Sequence, residues 1–172
     1  PTAELRFENM HLPADRRLGE AGQGFVHALK TLNGGRITIA ARGVGIAQAA
    51  LDEALAYAQK REQFDRPIGD FQAIQHKLAD MDTKTEAARM LMHKAADRKI
   101  RGESYVKAAA QAKLYASEVS REVANEGIQI HGGYGYTKDF PVERFYRDAK
   151  LNEIYEGTSE VLRNTIADQL FD

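Results

Sequence analysis

The sequence predicts an all-α protein, an antiparallel up-down four-helix bundle preceded by a short N-terminal strand remnant. Three observations predict this fold class. Proline occurs only at positions 1, 13, 67 and 141, which leaves two long, alanine-rich windows that favour helices. Within these windows, apolar residues recur at steps of four and three, the spacing that lines up one face of a helix. Glycine and proline clusters separate the periodic segments and predict where the helices end.

The composition excludes several classes of protein and of site. The 24 Lys and Arg residues nearly cancel the 25 Asp and Glu residues to a formal net charge of -1, so no nucleic-acid partner is expected. The lack of cysteine excludes disulfides, thiolate zinc sites and cysteine nucleophiles. Arg42 interrupts the longest apolar stretch, so no membrane-spanning helix is predicted. The chain begins at Pro1 in a polar segment, and we expect it to be a fragment of a longer protein.

The first half of the chain is predicted to form a strand and then a long helix. Residues 4–10 alternate weakly with period two before Pro13, which indicates a short strand whose sheet partners the sequence does not supply. A helix is predicted from Arg36 to the break at residues 65–69, after which Asp70 is placed to cap a second helix. The predicted inner face of the first helix consists of Ile37, Ala41, Val44, Gln48, Leu51, Leu55 and Ala58.

Two further long helices follow. Gly102 is predicted to end the second helix and Ser104 to cap the third. The many alanines of the third helix predict that its neighbours approach closely. The inner face of the second helix is predicted to be Ile74, Leu78, Met81, Thr85, Ala88, Met92 and Ala95. The inner face of the third is predicted to be Tyr105, Ala109, Ala112, Ala116, Val119 and Val123.

The C-terminal third is predicted to contain shorter helices. Three glycines within residues 132–135 end the third helix, and Pro141 suits the first turn of a fourth. A last helix is predicted from about Thr158 to Gln169, after an abrupt turn at Gly157.

Metal and nucleotide motifs are weak. Glu8 and His11 form the one Glu-x-x-His pair, whereas a di-iron bundle site needs two such pairs on helices, so we predict no metal site. The glycines near Gly22 and Gly43 do not complete a Gly-x-Gly-x-x-Gly motif between a strand and a helix, so we predict no Rossmann site.

Two features could carry chemistry, and the residues alone leave each open. The glycines of residues 129–136 either simply stop a helix or let backbone N–H groups approach a ligand closely. Glu156, between Tyr155 and Gly157, is either a general base or a carboxylate that precedes a helix capped by Thr158.

Five ordered blocks resemble the C-terminal half of an acyl-CoA dehydrogenase: residues 61–64, 71–75, 129–136, 146–150 and 154–159. The resemblance covers essentially the whole chain. Residues 1–20 resemble the end of the family's middle β-domain, and residues 21–172 resemble its C-terminal helical-bundle domain.

The resemblance implies an FAD-dependent oxidoreductase that removes two hydrogens from Cα and Cβ of an acyl-CoA thioester and gives the trans-2-enoyl-CoA. It also implies an electron-transferring flavoprotein as acceptor, a homodimer or homotetramer, and a location in the bacterial cytoplasm or the mitochondrial matrix. We expect the isolated fragment to be inactive and to hold FAD weakly. An acyl-CoA oxidase on the same fold and a non-catalytic helical oligomerisation module are the alternatives.

The resemblance also implies residue roles. Glu156 matches the catalytic base, whose own backbone N–H helps to hold the thioester carbonyl in this family. Asp65 stands where the family commonly has glycine, and Gly35 stands where some members carry an alternative catalytic carboxylate. The positions that match substrate contacts are Asn33, Arg36 and Gly157. Those that match FAD contacts are Arg61, Gln63, Phe64, Phe71, Gln72, Gln129, Gly132, Gly133, Thr158, Ser159 and Glu160.

Overall fold

The computed structural model describes residues 3–171 as a helical bundle. The predicted all-α class is confirmed, with three long helices followed by two short ones. The helices are α1 (Gly24–Lys60), α2 (Gln72–Ile100), α3 (Val106–His131), α4 (Val142–Asn152) and α5 (Ser159–Phe171). Two short strands, β1 (Glu62–Gln63) and β2 (Arg66–Pro67), pair antiparallel in the connection between α1 and α2.

Side-chain contacts fix the directions of the long helices. Lys77 on α2 pairs with Glu126 on α3, and Lys84, further along α2, pairs with Glu122. Residue numbers therefore rise along α2 as they fall along α3, so these two helices are antiparallel. Arg89 of α2 donates to Gln48 of α1 at 2.7 Å. The connection after α1 is short, so α1 and α2 are also antiparallel, as predicted.

Helix α3 lies at the centre of the bundle and contacts the other four helices. Its predicted inner face is confirmed, since every predicted position within the helix is buried. Small side chains bring α1 very close, because a Cβ added at Gly43 would lie 2.8 Å from the carbonyl oxygen of Ala116. The close approach that the alanines predicted is therefore present, and it leaves no space for a larger residue at Gly43.

The predicted stripe on α1 is partly wrong. Ala41 and Leu55 are exposed, although the rest of the stripe is buried or half-buried. Because α2 and α3 both pack against α1, its buried surface is wider than one stripe and is formed mainly by small residues. The additional buried alanines are Ala40, Ala47, Ala50 and Ala54.

The predicted inner face of α2 is confirmed, but both predicted caps are wrong. Asp70 belongs to a 3-10 turn, and Phe71 is the residue that precedes α2. Tyr105 takes the corresponding place before α3, so Ser104 lies one residue too early. Neither helix start has a side-chain cap hydrogen bond.

The N-terminal segment differs from the prediction. Residues 3–13 contain no strand, and every one of them is exposed. A strand needs a paired backbone, which the described residues do not provide here. Helix α1 begins at Gly24, twelve residues before the predicted Arg36. None of the described helices is sufficiently long and apolar to cross a membrane.

Candidate functional site

The turn between α4 and α5 holds Glu156 in an unusual backbone conformation. Glu156 has a φ of 57° and Gly157 a φ of 97°, so both adopt positive φ angles that L side chains rarely take. Glycine tolerates this conformation, but a glutamate there carries backbone strain. Such strain persists only where surrounding contacts enforce it, and it is concentrated at functional sites.

The carboxylate of Glu156 lies against Gly35 of α1. A Cβ added at Gly35 would lie 2.6 Å from Oε2 of Glu156, so only glycine leaves space for this carboxylate. Oε2 is buried and has no hydrogen-bond partner within residues 3–171. Gly35 stands where some members of the family that the sequence resembles carry an alternative catalytic carboxylate. The carboxylate of Glu156 fills the space that this glycine leaves. A buried carboxylate oxygen without a donor is suited to accept a proton.

Arg36 lies beside this carboxylate. This residue is only 7% exposed, and its guanidinium donates to Asn33 Oδ1 at 2.8 Å. Burial lowers the pKa of Arg36, while the negative charge of Glu156 acts in the opposite direction. A Cβ added at Gly157 would lie 3.7 Å from the guanidinium. The three predicted substrate positions and the predicted base are therefore brought together.

Sequence reasoning missed Lys113. This residue of α3 is 0% exposed, and its Nζ donates to the carbonyl oxygen of Gly157 at 2.7 Å. Burial, aided by the positive charge of Arg36, lowers the pKa of Lys113 to about 8, and the charges of Glu156 and Glu153 oppose this shift. The signal in the sequence was a lysine directly after Ala112 on an alanine-lined face.

A buried polar network supports Tyr155, the residue before Glu156. Arg42 on α1 donates to Asn152 Oδ1 at 2.5 Å and to the Tyr155 hydroxyl at 3.1 Å. Asn152 is fully buried, and its carbonyl accepts a bond from Ser117 of α3 at 3.0 Å. The network therefore ties the end of α4 and Tyr155 to both α1 and α3.

A second group of predicted residues lies at the other end of α1. Arg61, Gln63, Gly132 and Gly133 line one cavity of about 550 Å³. Gly132 has a φ of 62°, and a Cβ added at either glycine would meet no atom within 4 Å, so the backbone there is open to a ligand. His131 also lines this cavity, and its Nε2 is buried without a partner in residues 3–171.

The remaining positions at this end lie in the α1–α2 connection and near it. Phe64 is 86% exposed with a φ of 54°, and its ring lies edge-on to that of Phe71 at 6.1 Å. Asp65 has a φ of 62°, a left-handed conformation that glycine adopts easily. Aspartate also tolerates this conformation. Gln72 and Gln129 are both exposed.

The predicted FAD positions are not all brought together within one chain. Thr158, Ser159 and Glu160 directly follow the Glu156 turn and line a cavity of about 360 Å³. Backbone hydrogen bonding lowers the pKa of Glu160, and a hydrogen bond with the Thr158 side chain lowers it further. Arg61, the residue that caps the end of α1, lies 26 residues after Gly35. At a rise of 1.5 Å per residue, the helix places these two residues roughly 39 Å apart. The two groups therefore occupy opposite ends of the bundle.

We expect Gly35→Ala to lower turnover of the holoenzyme at least tenfold. The new methyl group would displace the Glu156 carboxylate, and small errors in the position of a base cost one to two orders of magnitude. Gly34→Ala is the matched control, because its methyl group would meet only the mobile end of Lys99, at 3.1 Å. Steady-state kinetics of both variants test this expectation, and equal turnover of the two would contradict it.

Comparison with known proteins decides the family. The family model described as "Acyl-CoA dehydrogenase, C-terminal domain" matches residues 22–171. The chain belongs to this family. The short-chain specific acyl-CoA dehydrogenase of Clostridium acetobutylicum is 51% identical over 170 residues, which are 99% of this chain and 45% of that protein. Subunit CarC of the caffeyl-CoA reductase-Etf complex of Acetobacterium woodii is 47% identical over 169 residues, 98% of this chain and 45% of that protein.

Solved structures of acyl-CoA dehydrogenases share the fold. Butyryl-CoA dehydrogenase of Megasphaera elsdenii superposes with a TM-score of 0.92 at 48% identity, over 94% of this chain and 42% of that one. The chain thus spans less than half the length of these relatives. This acyl-CoA dehydrogenase domain carries the Glu156 turn and the Arg61 cavity on opposite ends of one bundle.

Proposed function

We propose that this chain is the helical domain of an enzyme that dehydrogenates acyl-CoA thioesters between Cα and Cβ, with FAD as cofactor. The observation that carries the proposal is the Glu156 carboxylate, held on a strained turn with one buried oxygen unpartnered. Family membership supports the reaction class. The proposal includes residues 21–172 as the helical domain and residues 1–20 as the end of a β-domain; residues 1–2 and 172 lie outside the described residues.

In this mechanism Glu156 removes the proton at Cα of the thioester. Its backbone N–H donates no hydrogen bond within residues 3–171 and is free to bind the thioester carbonyl, where negative charge develops as the proton leaves. The buried positive charge of Arg36 lies beside Glu156 and attracts its carboxylate. Tyr155, held by Arg42, shields the base from water. FAD, when bound, supplies the acceptor for the hydride that leaves Cβ.

The residues present fit a dinucleotide cofactor. At the Arg61 end, a cation, an open glycine backbone and His131 line one cavity, a combination suited to phosphate and polar groups. At the other end, the Ser159 hydroxyl is buried without a partner in the described chain. Because roughly 39 Å separates the ends, we propose that two subunits of a homodimer or homotetramer contribute to each FAD site.

The electron partner and the direction of the reaction are also proposed from the relatives. The Acetobacterium woodii relative is named as a subunit of a reductase-Etf complex, which supports an electron-transferring flavoprotein as partner. The same name supports a second candidate function, reduction of an enoyl-CoA rather than its formation. All of these relatives are bacterial, which favours the bacterial cytoplasm among the two predicted compartments.

Anaerobic titration of the FAD-loaded holoenzyme that contains this chain tests the proposed function. We expect butyryl-CoA to bleach the flavin absorbance, because both Cα and Cβ of this thioester carry hydrogens. Pivaloyl-CoA is the control: it has no hydrogen at Cα for Glu156 to remove, so it should bind without bleaching. Equal absorbance changes with both thioesters, or none with butyryl-CoA and other saturated acyl-CoA thioesters, would overturn the proposal.

A further inference from the structure

Lys113 lies where the central helix meets the strained turn, and the mechanism above does not use it. It is the bulkiest fully buried side chain of the described residues. Within residues 3–171 it is also the one side chain that forms a hydrogen bond with the backbone of Glu156 or Gly157. Burying an ammonium group is costly, and well-packed apolar residues generally replace buried charges at little cost to stability. Stability alone therefore does not explain a lysine at this position.

We propose that Lys113 is a positioning residue for Glu156: its ammonium binds the Gly157 carbonyl and thereby fixes the left-handed turn that presents the carboxylate. This inference rests on the proposed role of Glu156 as the base. Helix α3 supplies the anchor, since Lys113 and most of its neighbours in the central turns of this helix are buried. The neighbouring backbone bond, from Ser159 N–H to the Glu153 carbonyl at 3.1 Å, closes the turn but leaves Gly157 itself unsupported.

Charges from three elements face Lys113. Arg36 on α1 repels its ammonium, whereas Glu156 in the turn and Glu153 at the end of α4 attract it. With burial as the largest effect, these charges give Lys113 a pKa of about 8. An ammonium donates a stronger hydrogen bond than a neutral amine does. Raising the pH through about 8 therefore weakens the bond that holds the turn.

Three variants of the holoenzyme test this role. Lys113→Met keeps the length of the side chain but removes the donor, and we expect kcat to fall about tenfold with KM changed less than about twofold. Lys113→Arg keeps a charged hydrogen-bond donor, and we expect its kcat to lie between those of Lys113→Met and wild type. Lys107→Met removes a lysine from the same helix, where its Nζ bonds the Gln169 carbonyl, and is expected to match wild type.

Hydrogen exchange provides a readout that does not depend on activity. We expect the Ser159 amide to exchange about tenfold faster in Lys113→Met, the same factor by which kcat falls. Lys107→Met should leave the exchange rate of this amide unchanged. If butyryl-CoA fails to bleach wild-type flavin but Ser159 still loses protection, the proposed function fails and the structural role of Lys113 stands. Unchanged Ser159 protection in a folded Lys113→Met variant would overturn the role of Lys113.

Wild-type kinetics provide a test if the buried variants do not fold. We expect kcat for butyryl-CoA to decline as the pH rises through about 8, with little change in KM. In a folded Lys113→Arg variant the decline should disappear, because arginine stays protonated over this range. A wild-type kcat that stays level from pH 7 to pH 9, or an unchanged decline in Lys113→Arg, would overturn the inference.

Discussion

Replacing Glu156 by glutamine is expected to lower kcat by a factor of about 10² to 10⁴, the range for loss of a general base. The amide has the shape of the carboxylate and fits the space beside Gly35, so the turn should be retained. Because the amide cannot accept the Cα proton, flavin reduction should slow while thioester binding persists. Rapid-mixing measurements of flavin bleaching by butyryl-CoA provide the rate.

Glu86→Gln is the matched control for this substitution. Glu86 is an exposed glutamate of α2 that pairs with Arg89 of its own helix, and its replacement should leave the bleaching rate unchanged. If Glu156→Gln reduced flavin as fast as Glu86→Gln, another group would have to be the base.

The second large effect concerns stability. We expect Gly43→Ala to lower the free energy of unfolding by about 1–3 kcal/mol, the usual cost of overpacking a core. The added methyl group would lie 2.8 Å from the Ala116 carbonyl oxygen, and this backbone atom cannot retreat without moving α3. Urea unfolding of the 172-residue chain, followed by circular dichroism, measures the change.

Gly45→Ala provides the comparison for Gly43→Ala. It lies in the same helix, but an added Cβ there would meet no atom within 4 Å. The better helix propensity of alanine should therefore raise the free energy of unfolding by about 0.5–1 kcal/mol. A Gly43→Ala variant as stable as Gly45→Ala would show that α1 and α3 are not packed as closely as described.

The sequence predicted best the helices that bury one regular face. The stripes of α2 and α3 follow the helical period closely, so Met81, Ala88 and Ala112 could be placed in the core in advance. The start of α1 was missed. Residues 24–31 include apolar side chains at helical spacing, but all of these residues are exposed, so this part of the helix has no buried face among the described residues. Asp70 failed as a cap because a 3-10 turn, which the pattern does not reveal, occupies its position.

The candidate site was predictable in its parts but not in its geometry. Resemblance pointed to Glu156 and Arg36, and the structure places both at one site. The fit of Gly35 against the carboxylate depends on how α1 packs against a turn far away in the chain, which local pattern cannot provide. Lys113 was missed because a charged residue beside an alanine stripe is usually assigned to the helix flank, where its side chain reaches water.

The rigid length of α1 has a genetic consequence if each FAD site is shared between subunits. A defect at the Arg61 end of one chain and a defect at the Glu156 end of another would damage different halves of the assembled sites. A mixed assembly of these two chains would still contain a site built from two intact halves. Two individually inactive alleles could therefore complement each other, whereas two copies of either allele could not.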